Sequence, residues 1–174
     1  MLVAQNLCCE RGDRCLFSAL DFSLNPGSLL YVEGANGTGK TTLLRTICGL
    51  FTPESGDILW NGTKTRSLGD EFRKDVIYLG HHNGIKLDLT GLENLRFTLA
   101  MDGVNATEDQ LLDALEDIGL GGYEDLPVRV LSQGQKRRVA LARLLLSKIP
   151  LWILDEPFTA LDVDAVNHLQ AIIG

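Results

Sequence analysis

The stretch "LLYVEGANGTGKTT", Leu29 to Thr42, decides how this chain is read. Its first part, Leu29–Glu33, is a short apolar run ending at a glycine, the pattern of a strand covered on both faces. Its second part matches G-x-x-x-x-G-K-[ST], and the match has a physical content. Gly34, Gly37 and Gly39 let the backbone curl. The N–H groups of Gly34, Ala35, Asn36, Gly37, Thr38 and Gly39 then point inward, at phosphate oxygens. A helix beginning near Lys40 adds its positive end. Lys40 supplies a mobile charge for the β- and γ-phosphates. Thr41 offers a hydroxyl to Mg2+, and Thr42 reaches a further phosphate oxygen.

Moving outward, "LWILDE" places Asp155 and Glu156 at the end of a second apolar run, Leu151–Leu154. In open α/β sheets ligands gather at that edge. Mg2+ takes one or two carboxylates together with phosphate oxygens and water, so Asp155 is the candidate to hold it. Glu156 is the candidate general base for an attacking water. Ile58–Trp60 and Val76–Leu79 read as further strands. Helix starts are expected at Thr90, Thr107 and Ser132, each followed three residues later by Glu or Gln, the capping-box spacing. After Thr107, Leu111, Leu112, Leu115 and Ile118 share one helical face, which Gly119 ends.

Composition bounds the class. The chain has 174 residues, 45% of them hydrophobic and 22% charged, enough for one domain with a core. A net charge of −7 argues against a nucleic-acid surface and requires any anion to be held locally. No apolar run approaches membrane-spanning length, and "MLVAQNLCCERG" lacks a signal-peptide pattern. Cys8, Cys9, Cys15 and Cys48 form no C-x-x-C pair and read as reduced, mostly buried thiols.

"GANGTGKT", "LSQGQ" at Leu131–Gln135, "LWILDEP" and "ALD" at Ala160–Asp162 occur in that order. The set resembles the ATP-binding domain of ABC transporters over nearly the whole chain. The resemblance implies an α/β P-loop NTPase fold with a mainly parallel sheet and a helical subdomain. It implies one domain, with residues 1–84 and 148–174 as catalytic core and 85–147 as the mainly helical part. A further strand and a switch histidine of that family are expected beyond residue 174, so the 174-residue form is expected to bind ATP better than it turns it over. His168 reads as helix surface and not as that histidine. The cofactors implied are ATP and Mg2+. The implied assembly is a head-to-tail homodimer, in which Ser132, Gln133, Gly134 and Gln135 of one copy face the nucleotide of the other. That explains a second anion-binding helix start in one small chain.

Two positions depart from the family pattern. His81, in "VIYLGHHNG", stands where a glutamine usually contacts Mg2+ and water; an imidazole can make one such hydrogen bond and can also titrate. His82 reads as a polar loop residue. Arg11 stands where an aromatic usually stacks on adenine; it either stacks through its guanidinium or is a solvated surface side chain. "GIKLDLTGLENL", the Gly-His pair and Cys-Glu-Arg near the start are most similar to the ATP-binding subunits of the haem exporter of cytochrome c biogenesis. This implies an ATP-hydrolysing energy-coupling subunit at the cytoplasmic face of the inner membrane, peripheral to integral membrane partners. Alternatives are the ATPase of another ABC transporter and a soluble non-transport ABC ATPase. Leu87, Leu89, Leu92 and Leu95 either face a membrane partner or belong to the core.

Overall fold

The computed structural model describes residues 1–173, except for the side chains of Asp164, His168, Ile172 and Ile173. The surface placement expected for His168 therefore lies outside the described residues. The chain forms two compact units, one of residues 1–78 and 150–155, the other of 79–149 and the residues from Glu156 onward.

The first unit opens with a hairpin, β1 (Leu2–Arg11) and β2 (Arg14–Leu24). Gly12 and Asp13 make the turn, with Gly12 at φ +61°. Two residues can only reverse a strand, so the pair is antiparallel. After the loop come α1 (Lys40–Ile47), β3 (Ser55–Trp60), the two-residue β4 (Thr63–Lys64), and the short helices α2 (Thr65–Leu68) and α3 (Asp70–Lys74). The sheet order is β2-β1-β3-β4, antiparallel at every pairing. The parallel character expected of the sheet does not extend to these four strands. A second sheet pairs β5 (Val76–Leu79) with β6 (Leu151–Leu154).

Alternation along β1 buries Leu2 and Ala4 and, after an irregularity at Asn6 that shifts its phase, Leu7 and Cys9. Leu2, Ala4 and Leu7 pack with Leu43 and Ile47 of α1, Ile58 of β3, Phe72 of α3, and Leu151 and Ile153 of β6. One expectation is overturned here. Leu29–Glu33 is not a strand, and Leu29 and Tyr31 are each 71% exposed. Among the described residues the segment belongs to neither sheet. Apolar character favours a pleated site but supplies no partner backbone, and without a ladder the run has no strand to be part of.

The second unit is built from α4 (Gly91–Met101), α5 (Glu108–Asp117), a 3-10 turn at Val128–Val130, α6 (Gln133–Leu146) and α7 (Val163–Ile173). Thr90, Thr107 and Ser132 each cap a helix by a reciprocal capping box with Glu93, Gln110 and Gln135. Leu95 and Leu99 of α4, Leu111 and Leu115 of α5, and Val139 and Leu141 of α6 are buried. Contacts among α4, α5 and α6 close this core. Gly119, at φ +77°, follows α5 and ends it. The alternatives left for the leucine series divide: Leu95 is core, Leu89 and Leu92 are half-buried, and Leu87 is 52% exposed. No helix among the described residues is long and apolar enough to cross a membrane.

All four cysteines are free thiols; Cys9 and Cys48 are buried, Cys8 is half-buried and Cys15 exposed. Burial pushes the Cys48 thiol up to about 12. Because the thiolate is the nucleophile, iodoacetamide at mildly alkaline pH should label Cys15 and leave Cys48 unmodified until the chain unfolds. Peptide mass spectrometry reads the order; early labelling of Cys48 would contradict its placement.

Candidate functional site

In the first unit the loop before α1 is folded onto its own lysine. Lys40 Nζ donates to the carbonyls of Gly34 at 2.7 Å and Ala35 at 3.1 Å. Thr38 Oγ1 donates to the Ala35 carbonyl at 2.9 Å. Gly39 is the N-cap of α1 at φ 104°, a left-handed conformation. A Cβ there would lie 3.0 Å from the Leu16 Cβ, so glycine answers both conformation and space.

The first turn of α1 differs from those of α4, α5 and α6. It has no side-chain cap, and it begins with a lysine. A cation at a helix N-terminus is electrostatically misplaced unless an anion joins it. The unused N–H groups of that turn and the lysine are together a phosphate-binding arrangement.

Asp155 follows β6 and is only 4% exposed. Thr41 Oγ1 donates to its Oδ1 at 3.2 Å and the Tyr78 hydroxyl to its Oδ2 at 3.5 Å. Burial pushes the Tyr78 phenol up, against a hydrogen bond with Arg45 that lowers it. A carboxylate and a hydroxyl side by side are hard oxygen donors, the kind Mg2+ selects, so Thr41 and Asp155 fit that cation. Thr42 is half-buried in α1, while Ala35, Asn36 and Gly37 are exposed in the loop. Arg11 is exposed at the hairpin tip, on the same β1 face as Cys9, whose thiol meets Thr46 of α1.

In the second unit His81 Nδ1 lies 3.5 Å from Glu156 Oε2, and Thr159 Oγ1 donates to the same oxygen at 3.4 Å. Glu156 has φ 50° and Ala160 φ 64°, left-handed values that non-glycine residues rarely hold. Such strain persists only where surroundings enforce it. One enforcer is Arg137 of α6, which is 3% exposed. It donates to the carbonyls of Gly80 at 2.9 Å, Glu156 at 3.2 Å and Pro157 at 3.4 Å, and to Asn83 Oδ1 at 3.1 Å. The residues before His81 and at Glu156 are thus held by one guanidinium.

Ser132 Oγ accepts from the Gln135 N–H at 3.2 Å, and Gln135 Oε1 accepts from the Ser132 N–H at 2.9 Å. A hydroxyl that accepts keeps its own proton for donation. Gln133 is exposed. A Cβ on Gly134 would lie 2.6 Å from the Ala160 carbonyl oxygen. Glycine is required there because the Ala160 loop lies against the start of α6. Asp162 caps α7 by accepting from the Ala165 N–H at 2.9 Å, and pairs with Arg138 of α6 at 2.5 Å.

Tyr78, Arg45, Asn83 and Arg137 were not among the residues singled out from sequence. Tyr78 had a local signal, as a polar-tipped residue inside a strand that ends beside the Gly-His pair. Arg137 had none, since an arginine two positions past "LSQGQ" looks like helix surface.

Gly134→Ala should lower the free energy of unfolding by about 1–3 kcal/mol through overpacking. Arg137→Met should cost roughly 3 kcal/mol, because several buried carbonyls lose donors at once. Gln133→Ala should stay within about 0.5 kcal/mol of the parent. Urea melts of the three variants give the ranking.

Comparison with known proteins joins these observations. Residues 17–159 match the ABC transporter family. The chain is 59% identical over 173 residues to the cytochrome c biogenesis ATP-binding export protein CcmA of Nitrosomonas europaea, covering 99% of this chain and 81% of that protein. It is 57% identical to the protein of the same name from Dechloromonas aromatica, covering all of this chain and 85% of that one. The fold matches a dimeric bacterial ABC transporter cassette with a TM-score of 0.85 at 25% identity, covering 99% of this chain and 81% of the cassette. The uncapped Lys40 loop, the buried Asp155 and the Ser132 helix are therefore parts of a chain that belongs to the ABC transporter family.

Proposed function

We propose that this chain is the ATP-hydrolysing, energy-coupling subunit of a membrane ABC complex, the haem exporter of cytochrome c biogenesis. The observation that carries the reading is the pairing of Thr41 with the buried Asp155 beside an uncapped helix start at Lys40, in a chain 59% identical to a cytochrome c biogenesis ATP-binding export protein. The chain is a single ABC ATP-binding domain, with residues 1–84 and 148 onward its catalytic core and 85–147 its mainly helical subdomain.

The residues divide the work. Gly34 to Thr42 cradle the polyphosphate through backbone N–H groups, and Lys40 exchanges its loop carbonyls for phosphate oxygens. Arg11 lies over the base. Thr41 and Asp155 hold Mg2+, which when bound neutralises charge on the β- and γ-phosphates. Glu156 takes a proton from the attacking water as the water oxygen bonds to the γ-phosphorus. The bond to the β–γ bridging oxygen breaks, leaving ADP and inorganic phosphate. His81 and Thr159, both at Glu156 Oε2, orient that carboxylate and the water.

Ser132, Gln133, Gly134 and Gln135 supply the second half of the enclosure in a head-to-tail homodimer. The Ser132 hydroxyl proton and the first-turn N–H groups of α6 meet the γ-phosphate held by the partner copy. Hydrolysis removes one anion from between two positive helix ends and loosens the dimer. Leu87, Phe97 and Met101, exposed on the second unit, offer apolar contact to integral membrane partners at the cytoplasmic face of the inner membrane.

Glu156→Gln should lower turnover by at least about 100-fold, the scale of a lost general base, and should hold an ATP-bound dimer visible by light scattering. In cells the same variant should stop maturation of c-type cytochromes while the protein still co-purifies with membranes. Normal turnover would remove Glu156 from its role. Turnover loss with normal cytochrome maturation would remove the haem-export assignment and leave the ATPase.

A further inference from the structure

The outward face of the β1–β2 hairpin carries a cluster that the nucleotide chemistry does not use. Strand alternation puts Cys8 and Glu10 on one face of β1 and Cys9 on the other, where its thiol meets Thr46. The register sets Glu10 directly opposite Cys15 of β2. Donor atoms of Cys8, Glu10 and Cys15 all lie within 4.8 Å of one another. Arg11 and Arg14, paired one step nearer the turn, belong to the opposite face.

We propose that Cys8, Glu10 and Cys15 form a binding site for a thiophilic divalent cation of the Zn2+ type. Two thiolates and one carboxylate are a donor set that zinc accepts in tetrahedral geometry, and three protein ligands leave the fourth position to water. Zinc–ligand distances of about 2.0–2.3 Å bring neighbouring donors to roughly 3.3–3.8 Å from each other. The cluster reaches that spacing by side-chain rotation, since Glu10 and Cys15 are exposed and all three share one face. Binding releases one proton from each thiol to water, and the two Cys–S bonds to the metal form without any change of oxidation state.

The two buried thiols are not competitors: Cys9 faces α1, and Cys48 lies in the core of the first unit. A metal between Cys8 and Cys15 would also pin β1 to β2 close to the turn that carries Arg11. The two strands show register irregularities there, between Leu7 and Cys9 and between Cys9 and Glu10.

The test uses the reduced chain, desalted without air, titrated with Co2+ and then Zn2+. The expected result is a near-ultraviolet thiolate-to-cobalt charge-transfer band that saturates at one equivalent and is bleached by Zn2+. Cys15→Ser should weaken Co2+ binding by more than about 100-fold, since even partners one step removed from a metal are worth about 10–100-fold. The Cys8→Ser, Cys15→Ser double variant should lose the band while keeping its circular dichroism and its ADP affinity. No band from the reduced parent chain overturns the proposal, as does a full band from the double variant. ADP binding reports on the fold and the nucleotide site separately, so loss of the metal site and loss of the ATPase reading are distinguishable.

Discussion

A carboxylate that is almost wholly out of water governs the first unit. Asp155 follows β6, and burying its charge costs several kcal/mol unless hydrogen-bond donors or a cation stand beside it. Thr41 reaches it from α1 and Tyr78 from β5, so the requirement of one oxygen pair fixes three elements around one point. The hydrogen bond between Arg45 and Tyr78 extends the arrangement back into α1. What looks like a metal-holding pair is at the same time the reason the phosphate loop, the helix after it and the two-stranded sheet keep a common geometry. A chain with a net charge of −7 cannot attract a polyphosphate by its overall field. On the proposed reading, backbone N–H groups and a single lysine take over that task, set down where the helix has been left uncapped.

The second unit solves a different problem, which is to keep a strained glutamate in place. Glu156 and Ala160 both sit at left-handed φ. Arg137 holds the carbonyls around Glu156 and before His81, and Gly134 lets the Ala160 carbonyl approach α6 more closely than any side chain would permit. Arg138 and Asp162 tie the same helix to the start of α7. The helix that opens with the Ser132 capping box is thus also the helix that fixes the Glu156 loop. Ser132 and the contacts that hold Glu156 share one helix, α6.

Much of this was legible because its causes are local. The three capping boxes need only residues three apart, and each formed as spaced. The glycine and lysine positions of the Gly34–Thr42 loop belong to one short motif, so they too need only near neighbours. The Leu29–Glu33 run misled because apolarity describes a side-chain preference and names no partner strand. The first hairpin was missed although Arg11-Gly12-Asp13-Arg14 is a recognisable two-residue turn between long runs. Its bulged register blurs the alternation that would have drawn attention. Arg137 could not be read and Tyr78 was passed over despite its place in a strand, since their partners are carbonyls and a carboxylate 19 to 77 residues away in the chain.

The capping boxes have a consequence for the order in which the protein takes shape. Each of α4, α5 and α6 begins from a latch closed within its own first turn, so the contacts that start each helix are local in the chain, while most of its stability comes from packing. The first unit has no such independence. Its strand β5 emerges about 70 residues before β6, and the sheet cannot close until synthesis has passed through the whole helical segment between them. The ribosome therefore finishes making the whole helical segment while the first unit is still waiting for its last strand.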